Sequence, residues 1–315
     1  MSKPVICIGA SFVDELFHAG EPVLKATTNS ASVTKTSGGV SRNIAHQLAM
    51  LGVPVHLISV FGSDSDGRWL KEQIKEVGVQ VEASVTREGL SGKYTGILDA
   101  DGSLFAAFLT NSALEWITPD YLQSQSNLLE EAAFILADAN ISVEAVQWLL
   151  SFCGSRGIPF ILEPVSVPPA KKFQHIDMQG MYLITPNEDE LPVMCDERAG
   201  LTQHQIEDLL NRGVQKIWLH NGKHGSALYS RDQTISLHAP EVEVVDCTGA
   251  GDGSLTGYLL GKYLGFPDAA CLRLAHTLSA EILQVNGAIA PTLSQEELLS
   301  RVPLYYPDFS SCLIS

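Results

Sequence analysis

The run Asp246-Cys247-Thr248-Gly249-Ala250-Gly251-Asp252 sets two carboxylates at the ends of a small, glycine-rich turn. Residues 242–245 read as a short β-like run before it, and apolar residues recur at helical spacing over 254–264 after it. A strand end, a glycine turn and a helix start would therefore meet at Asp252. The first amides of a helix are unpaired and carry partial positive charge, which suits phosphate oxygens, and glycines let a ligand approach the backbone. A carboxylate beside that cradle can act as a general base toward a substrate hydroxyl. Together the two devices are what phosphoryl transfer to an alcohol requires. A plain N-cap is the alternative role for Asp252.

Other candidates lie along the chain. Asp14 follows the first apolar run, and a carboxylate there can accept bonds from two sugar hydroxyls. Gly38-Gly39 allows close approach of the backbone, and Asn43 falls inside the following helical pattern, where Asn is unfavourable unless it has a partner. Thr185-Pro186-Asn187-Glu188-Asp189-Glu190 is an acidic helix start that could equally offer oxygen ligands to Mg²⁺. His220-Asn221-Gly222-Lys223-His224-Gly225 and Val285-Asn286-Gly287-Ala288 are loops with exposed backbone, and neither His220 nor His224 has a partner at metal-ligand spacing.

The D-x-T-G-A-G-D string resembles the C-terminal signature of the ribokinase-like (PfkB) family of carbohydrate and nucleoside kinases. Gly38-Gly39-Val40-Ser41-Arg42-Asn43 resembles the family's early G-G-x-x-x-N, and the likeness runs from Val5 to Thr292. The resemblance implies catalysis by Asp252 with the amides of Gly249, Ala250 and Gly251, and sugar binding by Asp14, Gly38, Gly39 and Asn43. It implies ATP contacts from Asn187, Gly222, Gly225, Thr248, Gly249, Gly251 and Asn286. Mg²⁺ would be held through water by Glu190, and K⁺ near Asp246, Thr248 and Ala288. His220 departs from the hydroxyl residue usual in the family's T-x-G-x-x-G nucleotide loop. Glu163-Pro164-Val165-Ser166-Val167, with Pro168 and Lys171, resembles the pseudouridine-kinase branch. The implied reaction is ATP-dependent phosphorylation of a primary hydroxyl on a ribose-like sugar or nucleoside, with pseudouridine the first choice. Ribokinase or sugar-acid kinase activity stays open, the latter because Lys93 offers a cation near the sugar. A sensor that kept a kinase fold without turnover is the alternative of another class, whereas a dinucleotide oxidoreductase lacks its G-x-G-x-x-G after the first strand.

These residues must be positioned by the elements around them. Short apolar runs at 5–9, 55–61, 134–137, 160–162, 182–184 and 217–219 alternate with amphipathic stretches such as Ile44/Leu48/Leu51 and Leu70/Ile74/Val77. Such alternation predicts an α/β fold with a mostly parallel central sheet, helices on both faces and ligands at the strands' C-terminal ends. We expect one domain over residues 1–315. Residues 12–36 and 93–109 read instead as extra strands, with a hairpin turn at Asp101-Gly102. The resemblance implies that they form a small β lid over the sugar, and a homodimer surface. The tail after Pro303 shows no clear pattern.

Composition narrows the partners. A chain of 315 residues with 45% hydrophobic content can bury a large core, and a net charge of −16 leaves no electrostatic footprint for nucleic acid or an anionic membrane. Six scattered cysteines form no C-x-x-C pair, so reduced thiols in a cytoplasmic protein are expected. The N-terminus shows no signal-peptide pattern, and no apolar stretch reaches membrane-spanning length.

Overall fold

The computed structural model describes residues 2–110, 112–196, 200–290 and 293–313; Thr292, the last residue of the sequence likeness, lies outside them. The chain begins with β1 (Val5–Ile8), β2 (Phe12–Ala19), β3 (Ala31–Gly38), α1 (Val40–Met50), β4 (Val55–Ile58), β5 (Val60–Gly62) and α2 (Ser65–Glu76). It continues through β6 (Val85–Arg87), β7 (Lys93–Leu98), β8 (Leu104–Thr110), α3 (Pro119–Ser124), α4 (Ser126–Glu130), β9 (Phe134–Asp138) and α5 (Val143–Arg156). Next come β10 (Phe160–Glu163), α6 (Val167–Lys171), β11 (Met181–Ile184), α7 (Glu190–Met194), α8 (Thr202–Asn211), β12 (Lys216–His220), β13 (Ser226–Tyr229) and β14 (Thr234–Leu237). The last elements are α9 (Ala250–Tyr263), α10 (Asp268–Leu283), α11 (Gln295–Tyr305) and α12 (Phe309–Cys312).

Eight strands make the central sheet in the order β14-β13-β12-β11-β10-β9-β1-β4. It is parallel from β4 to β12 and ends in two antiparallel strands. Runs such as Val5-Ile6-Cys7-Ile8 are fully buried because helices cover both faces. One apolar layer packs α5 and α8 on one face, and a second packs α1, α9 and α10 on the other. Helix α9 carries Gly253, Gly257 and Gly261 one turn apart, and α10 lies against that stripe. A Cβ at Gly257 would come within 2.7 Å of Ala275 Cα, so only glycine permits this approach. The stripe thereby seats the helix whose first turn carries Asp252.

Residues 12–36 and 93–109 contribute to a separate four-stranded sheet in the order β3-β2-β7-β8, whose β7–β8 hairpin turns at Asp101-Gly102. One expectation fails, and the tail that the sequence left without a role gains a place. Residues 242–245 form no strand: Val244 and Val245 are exposed, and the N–H of Val245 donates to Leu283 O at the end of α10. The tail after Pro303, patternless in sequence, is anchored. Helix α11 runs through Pro303, and Tyr306 donates to His238 O at 2.7 Å. That donation leaves the Tyr306 oxygen to accept from His276 Nδ1 (2.9 Å), so Nε2 accepts from Ser226 Oγ (2.7 Å), which accepts from Trp218 Nε1 (2.8 Å). Burial pushes His276 down to about 4 and keeps it neutral, as this chain of bonds requires.

Candidate active site

The site gathers where β1, β9, β10 and β11 end, at the start of α9, beside the four-stranded sheet. Asp252 lies in the first turn of α9, after Gly249 in a left-handed conformation (φ 75°). A Cβ at Gly249 would sit 2.5 Å from Ala288 Cα, so glycine lets the loop at 285–288 close onto the turn. Asp252 Oδ2 accepts from Asn43 Nδ2 at 2.9 Å. Burial pushes its carboxyl up to about 7; the Asn43 bond opposes this, and Asp138 and Asp14 add to it. A carboxyl titrating near neutrality suits a general base.

Asp14 stands on β2 beside Thr36 and Tyr94 of the neighbouring strands. Its carboxylate accepts no hydrogen bond among the described residues, and burial raises it to about 6 against the pull of the Arg42 charge. A Cβ at Gly38 would fall 2.0 Å from Asp14 Oδ2, and one at Gly39 (φ 104°) would strike Ala10 O at 2.4 Å. The glycine pair thus brings backbone against the open carboxylate and starts α1, whose second turn presents Asn43.

On the far side, Asn187 and Glu190 bind each other reciprocally. Asn187 Oδ1 accepts from the N–H groups of Asp189 and Glu190, and Glu190 Oε2 accepts from the N–H of Asn187 at 3.0 Å. Burial raises the Glu190 carboxyl, with the Asn187 bonds opposing. Its Oε1 makes no hydrogen bond among the described residues and fits a water in the shell of Mg²⁺. Asp246 is held below the usual carboxylate range: burial works the other way, but donors from Gly287 (2.9 Å) and Thr248 (2.9 and 2.7 Å) outweigh it. It pins the 246–248 turn to the 285–288 loop. Ala288 O also accepts from Gln47, so this all-oxygen set has only its remaining lone pairs for a K⁺ ion. Among the described residues no group of three or more His, Cys, Asp and Glu could hold a metal.

The nucleotide loop corrects one expectation. The amide of Gly225 donates to Gly222 O at 3.1 Å inside the turn, so it is not free for a phosphate. Glycine is needed at 225 because a Cβ would meet Leu237 O at 2.0 Å. His220 packs on Trp218 with ring centroids 4.3 Å apart, and burial drives it down to about 3, so it is a neutral wall and not a catalytic acid. Asn286 is exposed at the loop edge. Lys93 pairs with Asp66 at 3.0 Å and Glu15 at 3.5 Å, so its own charge is already partnered.

Two carboxylates escaped the site assignment made from sequence. Asp138, fully buried at the end of β9, accepts the N–H groups of Ala10 (2.8 Å), Ser41 (3.1 Å) and Asn140 (3.1 Å), and so ties the first turn to the start of α1. An Asp ending an apolar strand was the available signal. Glu163 ends β10 and accepts from the N–H of Val165 at 2.8 Å, whose φ of 71° is rare outside glycine. Burial raises Glu163 well above the ordinary range, and Asp252, Glu190 and Asp138 add to it, so these acids share one neighbourhood.

The model of the pfkB family carbohydrate kinases matches residues 5–295. The chain belongs to the PfkB family. It is 30% identical over 286 residues to the uncharacterized sugar kinase YeiI of Escherichia coli, covering 89% of this chain and 78% of that one. It is 29% identical over 309 residues to the pseudouridine kinase of the same organism, covering 95% and 96%. Among solved structures, ribokinase of Arabidopsis thaliana complexed with ribose and ATP superposes with a TM-score of 0.84 at 21% identity, covering 96% and 99%. A carbohydrate kinase from Agrobacterium tumefaciens gives 0.84 at 23%, covering 96% and 98%. The chain is thus a ribokinase-fold sugar or nucleoside kinase of the PfkB family, and no described helix is long and apolar enough to cross a membrane.

Proposed function

We propose that this PfkB kinase uses ATP to phosphorylate the primary hydroxyl of a ribose-like ring, and that its acceptor is pseudouridine. The observation that carries the reaction is Asp252, a carboxyl near neutrality at the open start of α9 and bonded to Asn43. Asp14, Gly39 and Asn43 hold the ring hydroxyls, and the β2-β3-β7-β8 sheet closes over them to exclude water. Asp252 takes the hydroxyl proton as that oxygen attacks the γ-phosphorus. The amides of Gly249, Ala250 and Gly251 stabilise charge on the transferring group, while Asn187, Gly222, Thr248 and Asn286 border the nucleotide. Mg²⁺ would neutralise phosphate charge when bound, held through water by Glu190. Oxygens of Asp246, Thr248 and Ala288 are the candidates for a K⁺ ion. The lid strands leave Phe108 65% exposed and Leu104 56% exposed, a surface that suits a homodimer through the lid.

Pseudouridine is favoured by Glu163-Pro164-Val165-Ser166 and by similarity to a pseudouridine kinase over nearly the whole chain. The paired state of Lys93 weighs against a sugar acid. A coupled ADP-release assay over pseudouridine, uridine, adenosine, ribose, fructose and 2-keto-3-deoxygluconate tests both levels. Fastest turnover with pseudouridine is expected. Preference for ribose would replace the acceptor but keep the reaction, and no release with any compound would favour a non-catalytic sensor.

A further inference from the structure

Arg42 is buried, with only 2% of its surface exposed, yet it forms no ion pair among the described residues. Its five N–H donors meet two acceptors: Nη1 donates to Asn43 Oδ1 at 3.3 Å and Ser37 O at 3.5 Å, and Nε has no partner. The Asp14 charge acts on it only from beyond ion-pair distance, and a buried guanidinium so short of acceptors is costly, so what its donors reach calls for a reason. Asn43 can turn either its oxygen or its nitrogen toward Asp252. A guanidinium has no acceptor, so the end of the amide facing Arg42 must be Oδ1, and Nδ2 is left to face Asp252.

We propose that Arg42 is a positioning residue: by donating to Asn43 Oδ1 it fixes the amide so that Nδ2 points at Asp252 and keeps that carboxylate ionised and ready to accept a proton. The proposal rests on Asp252 being the base. The groups that bear on Asp252 are Asn43 of α1, Asp14 of β2, Asp138 of β9 and Glu163 of β10, the last also in the field of Glu190, while Arg42 of α1 acts on Asp14 and on the Asn43 amide. Every carboxylate among them disfavours the ionised form. The Asn43 donor opposes them directly, and Arg42 secures that donor.

The test is a double-mutant cycle read by ¹³C NMR titration of the Asp252 carboxyl in ligand-free protein, with Asp252→Asn assigning the signal. Arg42→Met and Asn43→Ala should each raise the titration midpoint by about one pH unit, the scale of one hydrogen bond to a charged group. In the Asn43→Ala background, Arg42→Met should add little further shift, because its route through the amide is gone. Fully additive shifts would overturn the proposal, showing that Arg42 acts as a bare charge. No shift in Arg42→Met would overturn it too, as would a raised acceptor KM with an unmoved midpoint. Arg42→Leu, which likewise removes the donor, replaces Arg42→Met in the cycle if the latter does not fold. Because the midpoint is read without turnover, failure of the kinase assignment would show separately, as absent ADP release by the wild-type protein.

Discussion

Asn43 Nδ2 and Asp252 Oδ2 lie 2.9 Å apart although 209 positions separate them in the chain. The bond joins the glycine pair beside the four-stranded sheet to the glycine turn at α9, so in the proposed mechanism the acceptor end of the cleft and its phosphate end meet at one carboxylate. In Asp252→Asn this carboxylate is lost while the turn stays intact. Turnover should fall by two or more orders of magnitude, with ATP affinity by calorimetry within about threefold of wild type. Unchanged turnover would remove Asp252 from the mechanism.

The same residue makes a stability prediction of opposite sign. Its folded carboxyl titrates near 7 against an ordinary value of 3.8, so folding takes up a proton between those limits. Stability contributed by that proton is complete below the lower value and is lost as pH rises through the upper one. Asp252→Asn carries no such penalty. Its melting temperature should exceed that of wild type at pH 8, and the gap should shrink as the pH is lowered toward 4.

Gly38→Ala would drive a methyl group into the Asp14 carboxylate. KM for the acceptor should rise about tenfold or more, as displaced binding groups commonly cause. KM for ATP should hardly move, since Gly38 and Asp14 sit at the sugar end. Equal changes in both constants would contradict this division of the cleft.

Gly257→Ala addresses the scaffold. The added Cβ meets the backbone of Ala275, which cannot rotate away, so α9 and α10 must separate. A loss of about 1–3 kcal/mol by urea denaturation is expected. Wild-type stability would mean that the two helices adjust freely.

Tyr306→Phe removes the hydroxyl that donates to His238 O and accepts from His276. His276 Nδ1 and His238 O keep only their longer mutual contact of 3.3 Å, so the loss should cost about 1 kcal/mol, seen as a lower urea midpoint with an unchanged slope.

Asp252, Asp14, Asn43, Asn187 and Glu190 could be picked out as candidates from the sequence because glycine turns, strand ends and helix starts are local patterns. Alternating apolar runs likewise determined a mostly parallel sheet, since burial on both faces demands continuous apolar strands. Other features depended on contacts between distant segments. Residues 242–245 have strand-like composition, but a strand needs a neighbour, and α10 supplies theirs. Lys93 looked free until Asp66 and Glu15 were folded beside it. Asp138 and Arg42 appear ordinary in sequence, and only the fold turns one into a tie between three backbone amides and buries the other in the field of Asp14. Hydrogen bonds and charges act over a few ångströms, so which groups share that distance is decided by tertiary packing.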